Sequence, residues 1–221
     1  MQPRRLTRSL ALLAACGLSV QAWAGPAPRQ PLTKEARQVF EWVARSKDNE
    51  GLPFMIIDKR QAHVWVFSPA GQLKGDAPVL LGLAKGDHSL PGIGDMKLSQ
   101  IRPEDRTTPA GRFKADVGNN LRGETVVWVD YDGGVSMHPV LTAERGERRE
   151  QRLKTPTPAD NRVSYGCINV PTRFHETVVL GTVKRGPSIV YVLPETKPLS
   201  SVFTRLAPTA VNAAGTSSIR R

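Results

Sequence analysis

The segment Val163-Ser164-Tyr165-Gly166-Cys167-Ile168-Asn169-Val170-Pro171 decides how the rest of this chain is interpreted. The chain has two cysteines, and Cys16 lies in a stretch with the pattern of an export signal, which leaves Cys167 as the thiol of the mature protein. A lone cysteine in an exported protein is core filler, an intermolecular link or a reactive thiol. Gly166 permits a sharp turn, and Pro171 suits the first turn of a helix. Unpaired N–H groups in a turn that enters a helix would stabilise a thiolate or an oxyanion, so the pattern favours a reactive thiol.

Residues 1–24 have the three parts of a secretory signal peptide. The apolar middle runs from Leu10 to Val20, and Ala22-Trp23-Ala24 fits a cleavage site before Gly25. The basic front consists of Arg4, Arg5 and Arg8. We therefore expect a mature protein that begins at Gly25 and works in the periplasm.

The leader leaves one alternative open, because Leu13-Ala14-Ala15-Cys16 also fits a lipobox. Acylation of Cys16 would then anchor the protein to the outer membrane. The apolar stretch ahead of Cys16 is short for that purpose, so cleavage after Ala24 is preferred. The apolar run is also too short to span a bilayer and no later segment comes close, so we expect no transmembrane segment.

The net charge indicates an anionic partner outside the cytoplasm. The chain carries +11, and removal of the three arginines of the leader leaves +8 for the mature protein. Such an excess suggests nucleic acid in a cytoplasmic protein, but no interleaving of aromatic and basic residues supports that here. We expect no nucleic-acid partner, and an anionic envelope polymer or membrane surface is the better electrostatic partner. General solubility explains the charge equally well.

The order of the sequence patterns predicts one mainly β domain with an N-terminal helix. Residues 25–51 form a proline-rich spacer and a helix from Thr33 to about Ser46, and residues 52–194 form the domain. A short helix over Thr172 to Val179 follows the cysteine, and the Ala/Thr/Ser-rich residues 195–221 are predicted to be a disordered tail. The predicted strands are Phe54–Ile57, Ala62–Phe67, Pro78–Leu83, Phe113–Val117, Thr125–Tyr131, Val135–His138 and Ser188–Leu193.

Thiol acyl transfer needs a base that takes the proton and donors for the oxyanion, and four histidines could be the base. His63 lies in an alternating strand and His88 in a glycine-rich loop, so both are interpreted as structural or exposed. His175 lies on the short helix and is expected to point to solvent or to the core. His138 ends a strand, where a rigid element can present its imidazole to a neighbouring turn; a structural histidine is the alternative. The histidines do not pair at metal-ligand spacing with each other or with Cys167, so no metal site is predicted.

Three motifs resemble the catalytic domain of L,D-transpeptidases of the YkuD type. Ser164-Tyr165-Gly166-Cys167-Ile168-Asn169 is similar to the active-site motif, in which a Ser or Thr, usually followed by His, precedes Gly-Cys. Thr107-Thr108-Pro109-Ala110-Gly111-Arg112-Phe113 matches the Thr-Pro-x-Gly-x-Phe segment, and the strand that ends in Met137-His138 matches the catalytic histidine. The resemblance covers Leu52 to Leu193. It implies a β-sandwich catalytic domain with a short helix after the catalytic cysteine.

The resemblance also implies a substrate and roles for the site residues. Cys167 would be the nucleophile that forms an acyl-enzyme with the peptidoglycan stem peptide, and His138 would be the proton donor and acceptor. An amine, in a cross-link or on a protein, would then accept the acyl group, and no cofactor is expected. The residues implied in the oxyanion site and in the shape of the turn are Ser164, Tyr165, Gly166 and Asn169.

Two departures from the family pattern bear on these roles. Tyr165 replaces the common second histidine, so any orienting role of that histidine is absent or belongs to the phenol. His138 and Cys167 lie 29 residues apart because a charged insertion, residues 141–162, intervenes. A segment of this length without a strand pattern is usually a lid, a binding loop or disordered.

Two alternatives to transfer remain open in the sequence. A carboxypeptidase or endopeptidase would use the same cysteine and let water resolve the acyl-enzyme. A non-catalytic wall-binding module would use only the positive charge. The sequence of the insertion does not identify the acyl acceptor.

Overall fold

The computed structural model describes residues 29–141, 145–184 and 186–206. The predicted signal peptide, the alternative lipobox at Cys16 and residues 207–221 lie outside the described residues. Among the described residues, no helix is long and apolar enough to cross a membrane.

The N-terminal helix is confirmed as α1 (Lys34–Ser46). Its start is fixed by Thr33, whose Oγ1 accepts a hydrogen bond from the N–H of Ala36 at 3.1 Å. One face of the helix is buried in an apolar cluster with strand residues of the domain, so α1 packs on the domain. The buried residues of that face are Ala36, Val39, Trp42 and Val43.

Eight strands form one mixed sheet in the order β3-β2-β1-β10-β5-β6-β7-β9, and β4 and β8 form a separate parallel pair. The mainly β fold predicted from the sequence is confirmed. The strands are β1 (Phe54–Asp58), β2 (His63–Phe67), β3 (Leu73–Pro78), β4 (Leu81–Gly82), β5 (Gly111–Asn119), β6 (Thr125–Asp130), β7 (Val135–Pro139), β8 (Arg162–Ser164), β9 (Ile168–Val170) and β10 (Ser188–Leu193).

Alternation along the strands places two apolar clusters on opposite faces of the sheet. In β1, Met55 and Ile57 face one cluster, while Phe54 and Ile56 face the cluster that contains α1. The first cluster receives side chains from both ends of the sheet, which gives the domain a common core. Its members on the outer strands β6, β7 and β9 are Val127, Val129, Val135, Met137, Ile168 and Val170.

The predicted strand over Pro78–Leu83 is wrong in its extent. The chain pairs with β2 earlier, as β3, and Pro78 is the last residue of that pairing. It then crosses to β8 as the two-residue strand β4. Strand β3 was not predicted because it contains Lys74, Gly75 and Asp76, and such residues are rare in strands. Asp76 is tolerated there because it is buried against His63, to which it is bonded at 2.8 Å.

The prediction of a disordered tail is wrong for residues 195–206. This segment contains a short helix, Leu199–Val202, and its Phe203 is buried in the cluster that contains α1. The side chain of Glu195 is also buried, as an ion-pair partner of Arg162. The prediction rested on the alanine- and threonine-rich composition, which does not reveal that a few side chains anchor the segment.

The segment after the cysteine is a strand before it is a helix. Helix α3 (Thr172–Phe174), a π-helical turn (His175–Val179) and α4 (Leu180–Val183) follow β9 and run without a break. The predicted helix is therefore confirmed, but Cys167 does not enter it directly. The N-terminus of that helix is not adjacent to the thiol, so its dipole does not explain a reactive cysteine.

The charged insertion is folded over its described residues 145–162. Helix α2 (Arg149–Arg152) lies between two 3₁₀ turns, Arg145–Glu147 and Pro158–Asp160. Leu153 packs with Leu80 and Val140. The insertion therefore forms a small ordered unit beside β9 rather than an open loop.

Candidate active site

Strands β7 and β9 bring the cysteine and the histidine together. They are parallel neighbours, with Met137 opposite Ile168 and His138 opposite Asn169. Met137 and Ile168 point into the core. Because side chains alternate along a strand, Cys167, Asn169, His138 and Ser136 share the other face. The insertion between the two strands thus does not separate the catalytic candidates.

The turn that carries the cysteine is closed by its own side chains. Ser164 Oγ donates to the Cys167 carbonyl at 2.6 Å and accepts from the Gly166 N–H at 3.1 Å. Gly166 has a φ of 131°, a conformation that disfavours side chains. A Cβ there would lie 2.8 Å from the Thr107 carbonyl oxygen. The hydrogen bonds of Ser164 and the backbone conformation of Gly166 therefore fix the shape of the turn.

Thr108 ties this turn to the β4 strand. Its Oγ1 donates to the Gly166 carbonyl at 2.8 Å and accepts from the Gly82 N–H at 2.9 Å. Thr108 is completely buried, and its own carbonyl accepts from Lys59 Nζ at 2.8 Å. The Thr-Pro-x-Gly-x-Phe segment thus supports the cysteine turn from behind, a role that its sequence did not indicate.

Cys167 is partly exposed and is the free cysteine of the described residues. Its Sγ lies 3.7 Å from Ser136 Oγ and 3.6 Å from the Gly134 carbonyl oxygen. Burial raises the pKa of the thiol, but the hydrogen bond and the charge of His138, together with hydrogen bonds from Ser136, outweigh it. The pKa of Cys167 is therefore lowered from its ordinary value.

The hydrogen bonds of His138 select its tautomer. Nδ1 lies 2.8 Å from the Pro139 carbonyl oxygen, which can only accept, so Nδ1 carries the proton. Nε2 lies 3.4 Å from Nδ2 of Asn169. Since the amide nitrogen donates, the neutral ring keeps a lone pair on Nε2. This is the tautomer that a general base for the thiol requires.

Asn169 is completely buried, and its orientation is fixed from the other side. Nη1 of Arg149 donates to Oδ1 of Asn169 at 2.7 Å. Arginine has no acceptor atom, so the oxygen of the carboxamide must face Arg149 and the amide nitrogen must face His138.

The other three histidines lie away from the thiol or behind it. His63 is buried against Asp76 at 2.8 Å, and His88 is exposed. His175 is buried on the core side, and its Nε2 has no hydrogen-bond partner among the described residues. Burial, and then the charge of His138, lower its pKa to about 4, so the ring is neutral near pH 7.

The structure places Tyr165 in the cysteine turn with its ring half-buried. The guanidinium of Arg106 lies 4.0 Å from the ring centroid, a cation–π contact. This contact holds the ring against the loop that precedes Thr107.

The sequence indicated no role for Ser136 or Arg149, and it marked Thr108 only as part of the Thr-Pro-x-Gly-x-Phe segment. Ser136 could have been found, because it lies two residues before His138 on a predicted strand and so shares its face. Arg149 and Thr108 act through long-range contacts, for which the sequence has no local signal.

A cleft of about 520 Å³ lies beside His138. His138 and His175 line it from the inner side, and Arg122, Glu124 and Glu176 are exposed at its rim. No three His, Cys, Asp or Glu side chains of the described ranges cluster in a way that could hold a metal ion.

Comparisons with known proteins found no match to the sequence but several to the structure. No family model and no curated protein matches the sequence. Solved structures that match include L,D-transpeptidases and a helical cell shape determining protein. Each match is distant.

The catalytic domain of the E. faecium L,D-transpeptidase is 21% identical, with a TM-score of 0.37, and the match covers 64% of this chain and 96% of that domain. The helical cell shape determining protein Pgp2 from Campylobacter jejuni is 16% identical, with a TM-score of 0.42 and coverage of 66% and 49%. An L,D-transpeptidase from Xylanimonas cellulosilytica is 13% identical, with a TM-score of 0.36 and coverage of 64% and 60%. The chain thus spans about half the length of the Campylobacter protein.

Proposed function

We propose that this protein is a peptidoglycan L,D-transpeptidase that works through a Cys167 acyl-enzyme. The single observation that carries the proposal is that the pairing of β7 and β9 places the Cys167 thiol beside a histidine whose Nε2 keeps its lone pair, an arrangement that lowers the pKa of the thiol. A buried structural cysteine needs neither feature. Acyl transfer to and from a thiol needs both.

In the first half-reaction, Sγ of Cys167 attacks the carbonyl carbon of the diamino-acid residue in the stem peptide. His138 Nε2 takes the thiol proton and passes it to the amine of the terminal D-alanine, which leaves as the C–N bond breaks. In the second, an acceptor amine attacks the thioester, His138 takes a proton from the amine, and the thiol is restored. Atoms and protons balance over the two steps.

The oxyanion of each tetrahedral intermediate needs backbone donors near the turn. Gly166 N–H is already bonded to Ser164 Oγ, so it is a poor donor for the oxyanion. We assign this role to the N–H groups of Tyr165 and Cys167. The acceptor would reach His138 through the cleft beside it, because the base must contact the attacking amine.

We also place the protein outside the cytoplasm, since its proposed substrate is the cell wall and its first 24 residues have the pattern of an export signal. The mass of the protein extracted from cells tests this placement. A chain that starts at Gly25 supports it, while an acylated Cys16 would show a lipoprotein.

Incubation of the mature protein with purified disaccharide tetrapeptides, followed by mass spectrometry, tests the reaction. Transfer yields cross-linked dimers and free D-alanine. A trimmed monomer without dimers would instead show the hydrolase. Substrate that stays unchanged, with a folded protein and with no adduct on Cys167, would reduce the protein to a wall-binding module. Cys167→Ser is the matched control.

A further inference from the structure

We infer that Arg149, supplied by the charged insertion 141–162, is a positioning residue that holds Asn169 and, through it, the His138 imidazole against the thiol. The inference rests on the proposed pair of Cys167 and His138. It gives the insertion a role in catalysis.

The first argument is the burial of Arg149. Its side chain is only 8% exposed, although it lies on a surface insertion of a chain rich in exposed arginines. Burial of a guanidinium is costly, and a buried ion pair rarely stabilises a fold more than apolar residues of the same size would. Nε of Arg149 pairs with Glu147 at 2.5 Å, which compensates the charge and leaves Nη1 for Asn169.

The second argument is that the local fold aims this side chain. Arg152 Nε donates to the Glu147 carbonyl at 2.7 Å, and its Nη1 donates to the Asp160 carbonyl at 2.5 Å. These bonds close the two ends of the insertion around α2. Arg149, the first residue of α2, is thereby held toward β9.

The third argument is what the carboxamide would do without the arginine. Asn169 can present either its oxygen or its nitrogen to His138, and the two choices have opposite effects. The nitrogen can only donate, and its contact with Nε2 is long at 3.4 Å, so Nε2 stays unprotonated and its lone pair stays available for the thiol proton. The oxygen would accept from a protonated Nε2 and draw the ring away from Cys167. Arg149 excludes the second choice because it can only donate.

Apart from Glu147, which loses its ion pair when Arg149 is replaced, the titratable and charged groups that face His138 are not bonded to Arg149. Those on the neighbouring elements are Cys167 of the turn, His175 of the π-helical turn, and Arg122, Glu124 and Glu176 of the cleft. A change in the reactivity of the thiol would therefore report the loss of Arg149, through either the freed Asn169 or the unpaired charge of Glu147.

The test is the pH profile of Cys167 alkylation by iodoacetamide in Arg149→Met, which keeps the length of the side chain. We expect the apparent pKa of the thiol to rise by about one unit, so alkylation near pH 7 slows about tenfold, since one unit is a tenfold change in the thiolate fraction. Lys154→Met is the matched control, because it removes an exposed positive charge from the same insertion. Its profile should equal that of the wild type.

A double-mutant cycle with Asn169→Ala separates positioning from a simple charge effect. If Arg149 acts through Asn169, then Arg149→Met should add nothing in the Asn169→Ala background, and Arg149→Lys should restore part of the rate. Should Arg149→Met fail to fold, Asn169→Ala alone is expected to show the same slowing. A wild-type profile in these variants, or additive effects in the cycle, would overturn the inference.

The readout does not depend on the proposed substrate. Alkylation of the wild type without cross-linking of muropeptides would refute the proposed function and leave the role of Arg149 open to this test. Cross-linking of muropeptides by the wild type, together with wild-type alkylation profiles in the variants, would support the proposed function and overturn the role of Arg149.

Discussion

Two buried networks of charge flank the cysteine turn, and they differ in how completely they are satisfied. The anchor network consists of Lys59, Asp87, Arg162 and Glu195. The site network consists of Glu147, Arg149, Asn169 and His138. Both reach the turn, the first through Thr108 and the second through the histidine.

The anchor network is saturated. Lys59 Nζ donates to the carbonyls of Gly86 and Thr108 and to Asp87 Oδ1, at 2.5 to 2.9 Å, which uses its three protons. Two cations face two carboxylates, so the charge is balanced. Asp87 also accepts from the backbone N–H groups of Glu195, Thr196 and Lys197. Nothing in this network is left to react, and its function is to hold the loop and the tail.

The site network ends differently. It terminates at Nε2 of His138, whose contact with Asn169 is long at 3.4 Å. This atom keeps a lone pair next to a thiol of lowered pKa. The comparison teaches that the same kinds of buried ion pair can immobilise a loop in one place and orient a reactive group in another. The difference is that every donor of Lys59 in the anchor network is used, whereas the site network ends at Nε2 of His138, which can still accept a proton.

The largest expected effect comes from the thiol itself. Cys167→Ala should abolish turnover while the protein stays folded, because one small side chain in the turn replaces another. A carbapenem, a strained acyl donor, should add its mass to the wild type only. Intact-mass spectrometry measures the adduct, and circular dichroism checks the fold. Undiminished activity in the variant would remove Cys167 from the mechanism.

The next effect concerns the base at the end of the site network. General acid–base assistance contributes about 10²–10⁴-fold, so His138→Ala should reduce the rate of acylation on that scale. His63→Gln is the matched control, since His63 is bonded to Asp76 on β3 and should leave the rate unchanged. A large loss in His175→Gln with a small loss in His138→Ala would move the base to the π-helical turn.

The anchor network should affect stability more than chemistry. Burial raises the pKa of Asp87, but hydrogen bonds from Thr196, Lys59 and the backbone outweigh it and hold the pKa far below its usual range. A depressed carboxyl pKa stabilises the fold above about pH 4, the unfolded value, and this stability is lost as the pH falls below it. Asp87→Asn leaves the buried cations Lys59 and Arg162 to share one carboxylate, Glu195, and should cost about 3–5 kcal/mol at pH 7.

Urea unfolding of the wild type and of Asp87→Asn at several pH values measures this effect. The difference in the free energy of unfolding should be largest at neutral pH and should shrink in acid. Equal stability of the two proteins at pH 7 would contradict the account of the anchor network. Asp116→Asn, an exposed residue on β5, is the control.

The smallest expected effect is at the link between the anchor network and the turn. Thr108→Val keeps the shape of the side chain but leaves the Gly82 N–H and the Gly166 carbonyl without their partner. Two unpaired buried groups should lower the free energy of unfolding by about 1–3 kcal/mol, as measured by urea unfolding. Acylation by a carbapenem should also slow, because the turn loses its support. An unchanged rate would show that Ser164 alone holds the turn.

The same comparison shows how much the sequence could predict. The site network was partly visible, because Cys167 stands in a local motif and His138 ends a strand with clear alternation. Arg149 was hidden, since its partner lies 20 residues away on another element. In the anchor network, Lys59 and Glu195 are 136 residues apart in sequence, and only the folded chain brings them within 3.6 Å.

The helix after the cysteine shows a second limit. Pro171 favoured a helix start, and a helix does begin at Thr172. The three residues of β9 were not recognised as a strand, because a strand so short has no periodicity to detect. The prediction of a disordered tail failed for a related reason. A single buried residue such as Phe203 can anchor a segment whose composition is typical of disorder.

The central claim is that His138 activates the Cys167 thiol, and the pH dependence of Cys167 alkylation tests it most directly. Rates of iodoacetamide labelling are measured by mass spectrometry from pH 5 to 10 in the wild type and in His138→Ala. We predict a midpoint in the wild type below the ordinary thiol value of about 8.5, and a midpoint at or above that value in His138→Ala, because burial alone raises the pKa of the thiol. Coincident profiles with a midpoint near the ordinary value in both proteins would contradict the account.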